Sequence, residues 1–208
     1  MSAASPSTPE QPMTKPPAPA KRPWGLTLLW LVPVVFFLLV LAYGLLTRPS
    51  TDPETLPRVG QPLADFTLPD MQGRAIQLSA LRGKVVFINV WATWCPPCVE
   101  EMPTMQRLHE RLHGRGLEVL AISLDALGTQ VVEPFMRDYR LTFTTVLDPK
   151  GTIERLYRTG GVPESFIVDK HGRLVEKIVG PRDWTHPHIL AMFERLLADQ
   201  TPATASGN

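Results

Sequence analysis

One stretch constrains this chain more than any other. A nearly unbroken apolar, β-branched run, Lys84-Val85-Val86-Phe87-Ile88-Asn89-Val90, leads directly into Trp91-Ala92-Thr93-Trp94-Cys95-Pro96-Pro97-Cys98. Such a run reads as a strand buried on both faces. A helical pattern follows, with Val99, Met102, Met105, Leu108 and Leu112 recurring at three- and four-residue steps toward Gly114. Cys95 and Cys98 are the only cysteines among 208 residues. At this spacing they can exchange between dithiol and disulfide, and two cysteines cannot form a stapled framework of the small secreted kind. They also supply only two ligands where a structural zinc site needs four. His109 and His113 stand four apart on a predicted helix, and His186 and His188 flank Pro187. Neither pair completes a convincing ligand set, so zinc is rejected and all five histidines read as exposed polar side chains.

The rest of the domain alternates strands and helices. Asp65–Leu68 and Ala75–Leu78 alternate around a turn containing Gly73, which predicts a small hairpin. Leu117–Ile122 is a second buried strand. Thr129–Arg140 is a helix interrupted or started at Pro134, Thr144–Leu147 a strand and Thr152–Tyr157 a short helix. Glu164–Val168 and Arg173–Val179 form a second hairpin, and His188–Leu197 is an amphipathic helix. This order gives an α/β domain with a mixed sheet.

Upstream, residues 1–23 carry seven prolines and little bulky apolar material, which predicts disorder. Leu26–Leu46 then runs 21 residues without a charge, the length that crosses a hydrocarbon core of roughly 30 Å. Trp24, Trp30 and Tyr43 lie near its ends, as interfacial rings do. Lys15, Lys21 and Arg22 precede it, which predicts a cytoplasmic N-terminus and an extracytoplasmic domain. A cleaved signal peptide, with Ala42-Tyr43-Gly44 as the small-x-small site, is the competing reading, but the apolar run exceeds a usual h-region. The expected organisation is a disordered leader over 1–23, an anchor over 24–46, a proline-bearing linker over 47–59, a domain over 60–199 and a loose tail over 200–208. A net charge of +1 gives no footprint for nucleic acid.

Several motifs occur in order: Gly60-Gln61-Pro62-Leu63-Ala64-Asp65-Phe66-Thr67-Leu68, then Leu81-Arg82-Gly83-Lys84-Val85-Val86, then Trp91–Cys98, Glu101-Met102-Pro103, and Gly161-Val162-Pro163-Glu164-Ser165-Phe166-Ile167-Val168-Asp169. With them, residues 58–199 resemble the thioredoxin-like superfamily, in its membrane-tethered, extracytoplasmic branch of the TlpA/ResA/CcmG type. The resemblance implies a thioredoxin-like fold: a mixed central sheet flanked by helices, with an N-terminal β-hairpin and an inserted strand–helix, preceded here by one transmembrane helix. The 64 residues between Cys98 and Pro163 leave room for that insertion, and the helix at 129–140 is its candidate.

The resemblance also implies roles. Cys95 is expected at the helix N-terminus, exposed, as the nucleophilic thiolate. Cys98, one turn deeper, resolves the mixed disulfide. Pro96 and Pro97 remove two amide donors and tune the potential; Pro103 matches a kink proline. Pro163 matches a cis-proline facing the thiols, and Val162 before it would offer main-chain hydrogen bonds to an extended substrate. Trp94 is expected to shape the contact surface, with Trp91 packed beneath it. Asn89 stands where thioredoxin has a buried aspartate. Asparagine takes no proton, so that role is absent or moved to Glu101 or Glu164, while Glu100 reads as solvated.

The function implied is a thiol–disulfide oxidoreductase of the bacterial inner membrane, with its catalytic domain periplasmic. It would reduce protein disulfides in cytochrome c maturation or copper-site assembly and be recharged by a membrane thiol-reductant transporter. It carries no cofactor beyond its own dithiol, and it meets the lipid bilayer through residues 26–46. A peroxiredoxin-like thiol peroxidase and a Cu(I)-binding chaperone are the alternatives.

Overall fold

The computed structural model describes residues 33–40 and 56–199. The two sets fall in separate units, Met1–Pro53 and Glu54–Asn208, and each is taken by itself. Residues 33–40 are helical, and the apolar side chains from Val34 to Val40 are exposed. Among the described residues no helix is long and apolar enough to cross a membrane. The rest of the 24–46 span lies outside the described residues, as do the leader 1–23, linker residues 47–55 and the tail 200–208.

The domain opens with an antiparallel hairpin of β1 (Thr67–Pro69) and β2 (Ala75–Gln77). Asp70 closes its turn by accepting the amides of Gln72 and Arg74. A 3-10 turn, Leu78–Leu81, leads to β3 (Val85–Trp91), α1 (Pro96–Leu112), β4 (Leu117–Ser123), α2 (Thr129–Asp138) and β5 (Thr144–Leu147). Then come α3 (Thr152–Tyr157), β6 (Glu164–Val168), β7 (Leu174–Val179) and α4 (Pro187–Ala198). The sheet order is β5-β4-β3-β6-β7. Strands β3, β4 and β5 are parallel, β6 pairs antiparallel with β3 and β7 antiparallel with β6, so the sheet is mixed.

Side chains alternate across a strand with period two, and that period places the site. Val85, Phe87 and Trp91 of β3 face one core with Met102, Met105, Leu108 and Leu112 of α1 and Phe193 and Leu197 of α4. Val86, Ile88 and Val90 face the other, against Leu68, Leu78, Ile153, Tyr157 and Phe166. Asn89 shares the parity of Phe87 and Trp91, so its amide points to the α1 side. The β3–β6 register sets Asn89 opposite Ser165.

Helix α1 buries Met102, Met105, Leu108 and Leu112 of the expected stripe, leaves Val99 half-buried and holds Pro103 inside it. Each fully buried Met or Leu side chain contributes roughly 1.5–3 kcal/mol, so this stripe fixes the helix to the sheet. Gly116, at φ 102°, turns the chain into β4 in a left-handed conformation that suits glycine.

Two expectations are corrected. Pro134 neither starts nor interrupts α2: the helix runs from Thr129 to Asp138 with Pro134 inside. Burial of Val132 and Met136 outweighs the lost backbone bond. The helix ends before Arg140, which is left-handed at φ 54°, and Leu141 N–H closes it onto Met136 O at 2.8 Å. His109 is not an exposed polar residue. It is buried on the inner face of α1, between the His113 ring at 4.6 Å and Phe143 at 6.2 Å. That burial, and then the His113 charge, lower its proton affinity.

Candidate active site

The α1 N-terminus lies at the C-terminal end of β3. Cys95 is the N-cap residue, with extended backbone angles, and Pro96 and Pro97 fill the first two helical positions. Proline suits those positions because their amides have no helical acceptor. Cys98 N–H donates to Cys95 Sγ at 3.3 Å. The two prolines leave it as the first amide of the helix, so the N-terminal field acts on Cys95 through one donor rather than three. Cys95 and Cys98 are joined by a disulfide, with Cα atoms 5.3 Å apart, inside the usual range for such a bond.

Cys95 was expected at an exposed tip, and the structure corrects this. Its exposure is 4%, against 0% for Cys98. The sulfur lies 3.7 Å from Val162 O, and that segment roofs it. A disulfide sulfur has no proton to give; in the reduced protein the Cys95 thiol would be a donor to this carbonyl. The Val162–Pro163 peptide bond is cis. Pro163 O accepts Gly180 N at 2.9 Å, which ties the segment to the end of β7. Trp94 beside the sulfurs is 66% exposed, and Pro96 is exposed too. Trp91 is buried, and its ring partner is Phe135 of α2 at 5.0 Å. Asp125 holds the loop between them, accepting Thr93 N at 3.0 Å and Thr93 Oγ1 at 2.6 Å.

The two candidate carboxylates are both buried but differently placed. Glu101, 2% exposed, sits one turn beyond Cys98 on the same face of α1. Its Oε1 accepts Asn89 Nδ2 at 2.8 Å. Its Oε2 accepts Trp184 Nε1 at 2.9 Å and Arg182 N at 3.1 Å. Burial raises the pKa of Glu101 above the ordinary carboxylate range, and these bonds only partly offset it. Asn89 Nδ2 also donates to Ser165 Oγ at 3.0 Å, and Asn89 Oδ1 has no partner among the described residues. Asn89 thus links the strand to the carboxylate that the sequence named as its substitute.

Glu164 follows the cis bond but is occupied elsewhere. Its Oε1 accepts Gly160 N at 2.8 Å, and its Oε2 lies 2.9 Å from Lys177 Nζ. The lysine is within ion-pair distance yet off the hydrogen-bonding direction of that oxygen. These contacts brace the 160–164 segment. Glu100 is exposed.

Sequence reasoning missed Trp184, Arg182, Thr104, Ser165 and Asp125. A tryptophan inside the polar stretch Gly180-Pro181-Arg182-Asp183-Trp184 was the available signal, since a bulky ring in such a loop is usually held by something. Here Trp184 packs on Phe87 at 4.1 Å and gives its indole N–H to Glu101. The other four are ordinary polar residues until the fold brings them to the site.

The comparisons with known proteins agree with this geometry. Residues 59–177 match the family model described as the AhpC/TSA family. The thiol-disulfide oxidoreductase ResA of a Bacillus cereus strain is 40% identical over 124 residues, 59% of this chain and 70% of that protein. ResA of Geobacillus thermodenitrificans is 36% identical over 148 residues, 71% of this chain and 84% of that protein. A solved structure from Chlorobium tepidum, assigned as thiol:disulfide interchange protein DsbE, superposes with a TM-score of 0.59 at 34% identity. It covers 69% of this chain and 96% of its own. A dithiol–disulfide pair at a helix N-terminus, on a mixed five-stranded sheet, places this chain in the AhpC/TSA family of thioredoxin-like proteins, as a thiol–disulfide oxidoreductase of the ResA type.

Proposed function

We propose that this protein is tethered to the bacterial inner membrane, extends its domain to the periplasmic side, and reduces disulfides in specific protein targets. The observation that carries the reading is the approach of Cys95 Sγ to Val162 O, the carbonyl of the cis peptide bond. An extended substrate segment laid along Val162 brings its own sulfur to Cys95.

In the first step the Cys95 thiolate attacks one sulfur of the target disulfide. That bond breaks, the second target sulfur leaves as a thiolate, and solvent protonates it. Cys98 then loses its proton and attacks Cys95 Sγ. The Cys95–target bond breaks and the target departs as a dithiol, two electrons richer. The Cys95–Cys98 disulfide remains. Glu101 is the acid–base group for Cys98, being buried one turn away with a raised proton affinity. The disulfide is returned to a dithiol by a membrane thiol-reductant transporter, which supplies the two electrons. Targets of the type the resemblance implies are apocytochrome c haem-site cysteines and copper-site assembly proteins. The anchor reading is supported by the uncharged run 26–46 and by the helical, outward-facing apolar residues within it at 34–40.

Cys98→Ser, expressed in the full chain, tests the reading. Mixed disulfides through Cys95 should accumulate, resolve on adding a reductant and vanish in the Cys95→Ser/Cys98→Ser double variant. No trapped protein would sink the mechanism. Peroxide consumption by the wild-type chain at rates above its disulfide reductase activity would favour the peroxidase alternative instead. Tight stoichiometric Cu(I) retention without reductase activity would favour the chaperone.

A further inference from the structure

Cys98, Glu101 and Thr104 follow one another on α1 at steps of three, and Cys95 precedes them by one such step at the N-cap. Residues three apart on a helix are neighbours, with Cβ atoms about 5–6 Å apart. The series therefore runs from the sulfurs past a buried carboxylate to a half-buried hydroxyl. At its far end the loop after β7 packs against it. Trp184 N donates to Thr104 Oγ1 at 3.1 Å, while Trp184 Nε1 and Arg182 N both donate to Glu101 Oε2. Thr104 Oγ1 donates in turn to Glu101 O at 2.8 Å. A cleft of about 250 Å³ opens at this level, lined by Glu100, Glu101, Thr104, Pro181, Arg182 and Asp183. None of Trp94, Pro96 and Val162, which surround the sulfurs on the substrate side, lines it.

We propose that the β7–α4 loop makes Glu101 a proton relay between Cys98 and this cleft, with Trp184 and Thr104 as positioning residues. The inference rests on the acid–base reading of Glu101 given above. During resolution a bound target covers the sulfurs, so the Cys98 proton needs another way out. It passes to Glu101 as the Cys98 sulfur attacks Cys95 Sγ, and the Cys95–target bond breaks. Glu101 then gives the proton to water in the cleft, and the departing target thiolate takes one from solvent on its own side. The charged groups that line the cleft with Glu101 are Glu100 from α1 and Arg182 and Asp183 from the loop, and the titratable Cys98 stands three residues before it on the helix. From β3 the neutral amide of Asn89 donates to it.

The indole N–H reports the relay directly. In the full-length reduced protein, in detergent micelles, the Trp184 Nε1–H resonance should titrate with pH, and Glu101→Gln should flatten that titration. Resolution of a preformed Cys95 mixed disulfide should show a pH limb that Glu101→Gln abolishes. Trp184→Phe removes a donor that favours the carboxylate, so its limb should move to higher pH, with resolution about tenfold slower on the acidic side. Thr104→Val should move it the same way by less, and Thr104→Ser should restore it. Glu100→Trp, filling the cleft mouth from an exposed position, should slow resolution several-fold without changing the first attack by Cys95. A wild-type indole resonance that ignores pH overturns the relay without requiring any variant to fold. Limbs unmoved in Trp184→Phe and Thr104→Val, beside a limb lost in Glu101→Gln, overturn the positioning role and leave the acid–base reading standing. An unchanged rate in Glu100→Trp overturns the cleft as the route. A limb that survives Glu101→Gln overturns the acid–base reading itself.

Discussion

Buried carboxylates stand at both ends of the central sheet. At the thiol end is Glu101, held by the Asn89 amide, the Trp184 indole and the Arg182 backbone. At the opposite end is Glu118, near the start of β4, which accepts Lys84 Nζ at 2.8 Å and Thr144 Oγ1 at 2.7 Å. Burial raises the proton affinity of both. At Glu118 the bonds from Lys84 and Thr144 outweigh it, and the pKa falls below the ordinary value. At Glu101 every direct donor is neutral, burial wins, and the pKa rises. The Arg182 guanidinium contributes least there, and it is turned to Pro181 O. A cation in contact makes a buried carboxylate a structural anion, whereas neutral donors leave its proton affinity above the ordinary carboxylate range.

The most severe way to break this contrast is to put a second acid at the thiol end. Asn89→Asp removes the donor to Glu101 Oε1 and sets two carboxylates face to face in the core. Two such groups share one proton and cannot both ionise at ordinary cost. The variant should lose about 2–4 kcal/mol at about pH 8 and recover most of it below about pH 5. Urea unfolding at the two pH values checks this. An equal loss at both would mean that Asn89 matters by shape and not by charge.

The next test removes the cation from the other end. Lys84→Met leaves Glu118 buried with the Thr144 hydroxyl as its donor and the weaker influence of the His113 charge. Loss of one member of a fully buried pair costs roughly 3–5 kcal/mol. Lys84 is half exposed, so solvent screens part of the pair and about 1–2 kcal/mol is expected. The same variant should turn Glu118 toward the behaviour of Glu101, with proton affinity above rather than below the ordinary range. A carboxyl titration followed by NMR decides whether the cation sets the direction.

The sequence made some of this legible and hid the rest for physical reasons. Periodicity placed β3, α1, β4 and the last hairpin, because a buried strand or an amphipathic helix writes its burial into residue type at fixed steps. The motif order gave Cys95, Cys98 and the Val162–Pro163 segment before any geometry was known. Three things were not written locally. The burial of Cys95 comes from Val162, 67 positions away. Two of the three donors to Glu101 come from a loop about 80 residues downstream. His109 is inside because Phe143 and its own helix neighbour close over it. Contacts between distant, chemically ordinary residues leave no pattern in a single chain. Glu101 and Glu164 therefore read alike from sequence, and only the structure parted them, through Lys177.

The smallest effect is the most discriminating. Glu101→Gln removes a charge that the fold disfavours but keeps an amide able to accept the Trp184 and Arg182 protons. Stability at neutral pH should change by under about 1 kcal/mol. What should change is its slope with pH. The folded pKa of Glu101 is raised, so between the unfolded value and the raised folded value the native state holds the extra proton. In that window wild-type stability falls as pH rises, and above it the loss is complete. Below about pH 4.5 both side chains are neutral, and there the variant should stand at its least favourable relative to wild type. As pH climbs through the window the difference should move in the variant's favour. For Glu118→Gln the sign is opposite. Its folded pKa is lowered, so its contribution is present above the ordinary value and is lost as pH falls through the lowered one. Unfolding midpoints for the two variants across the acidic range should diverge from wild type in opposite directions. Parallel curves would mean that Glu101 is as firmly ionised as Glu118, and the thiol end would lose its proton carrier.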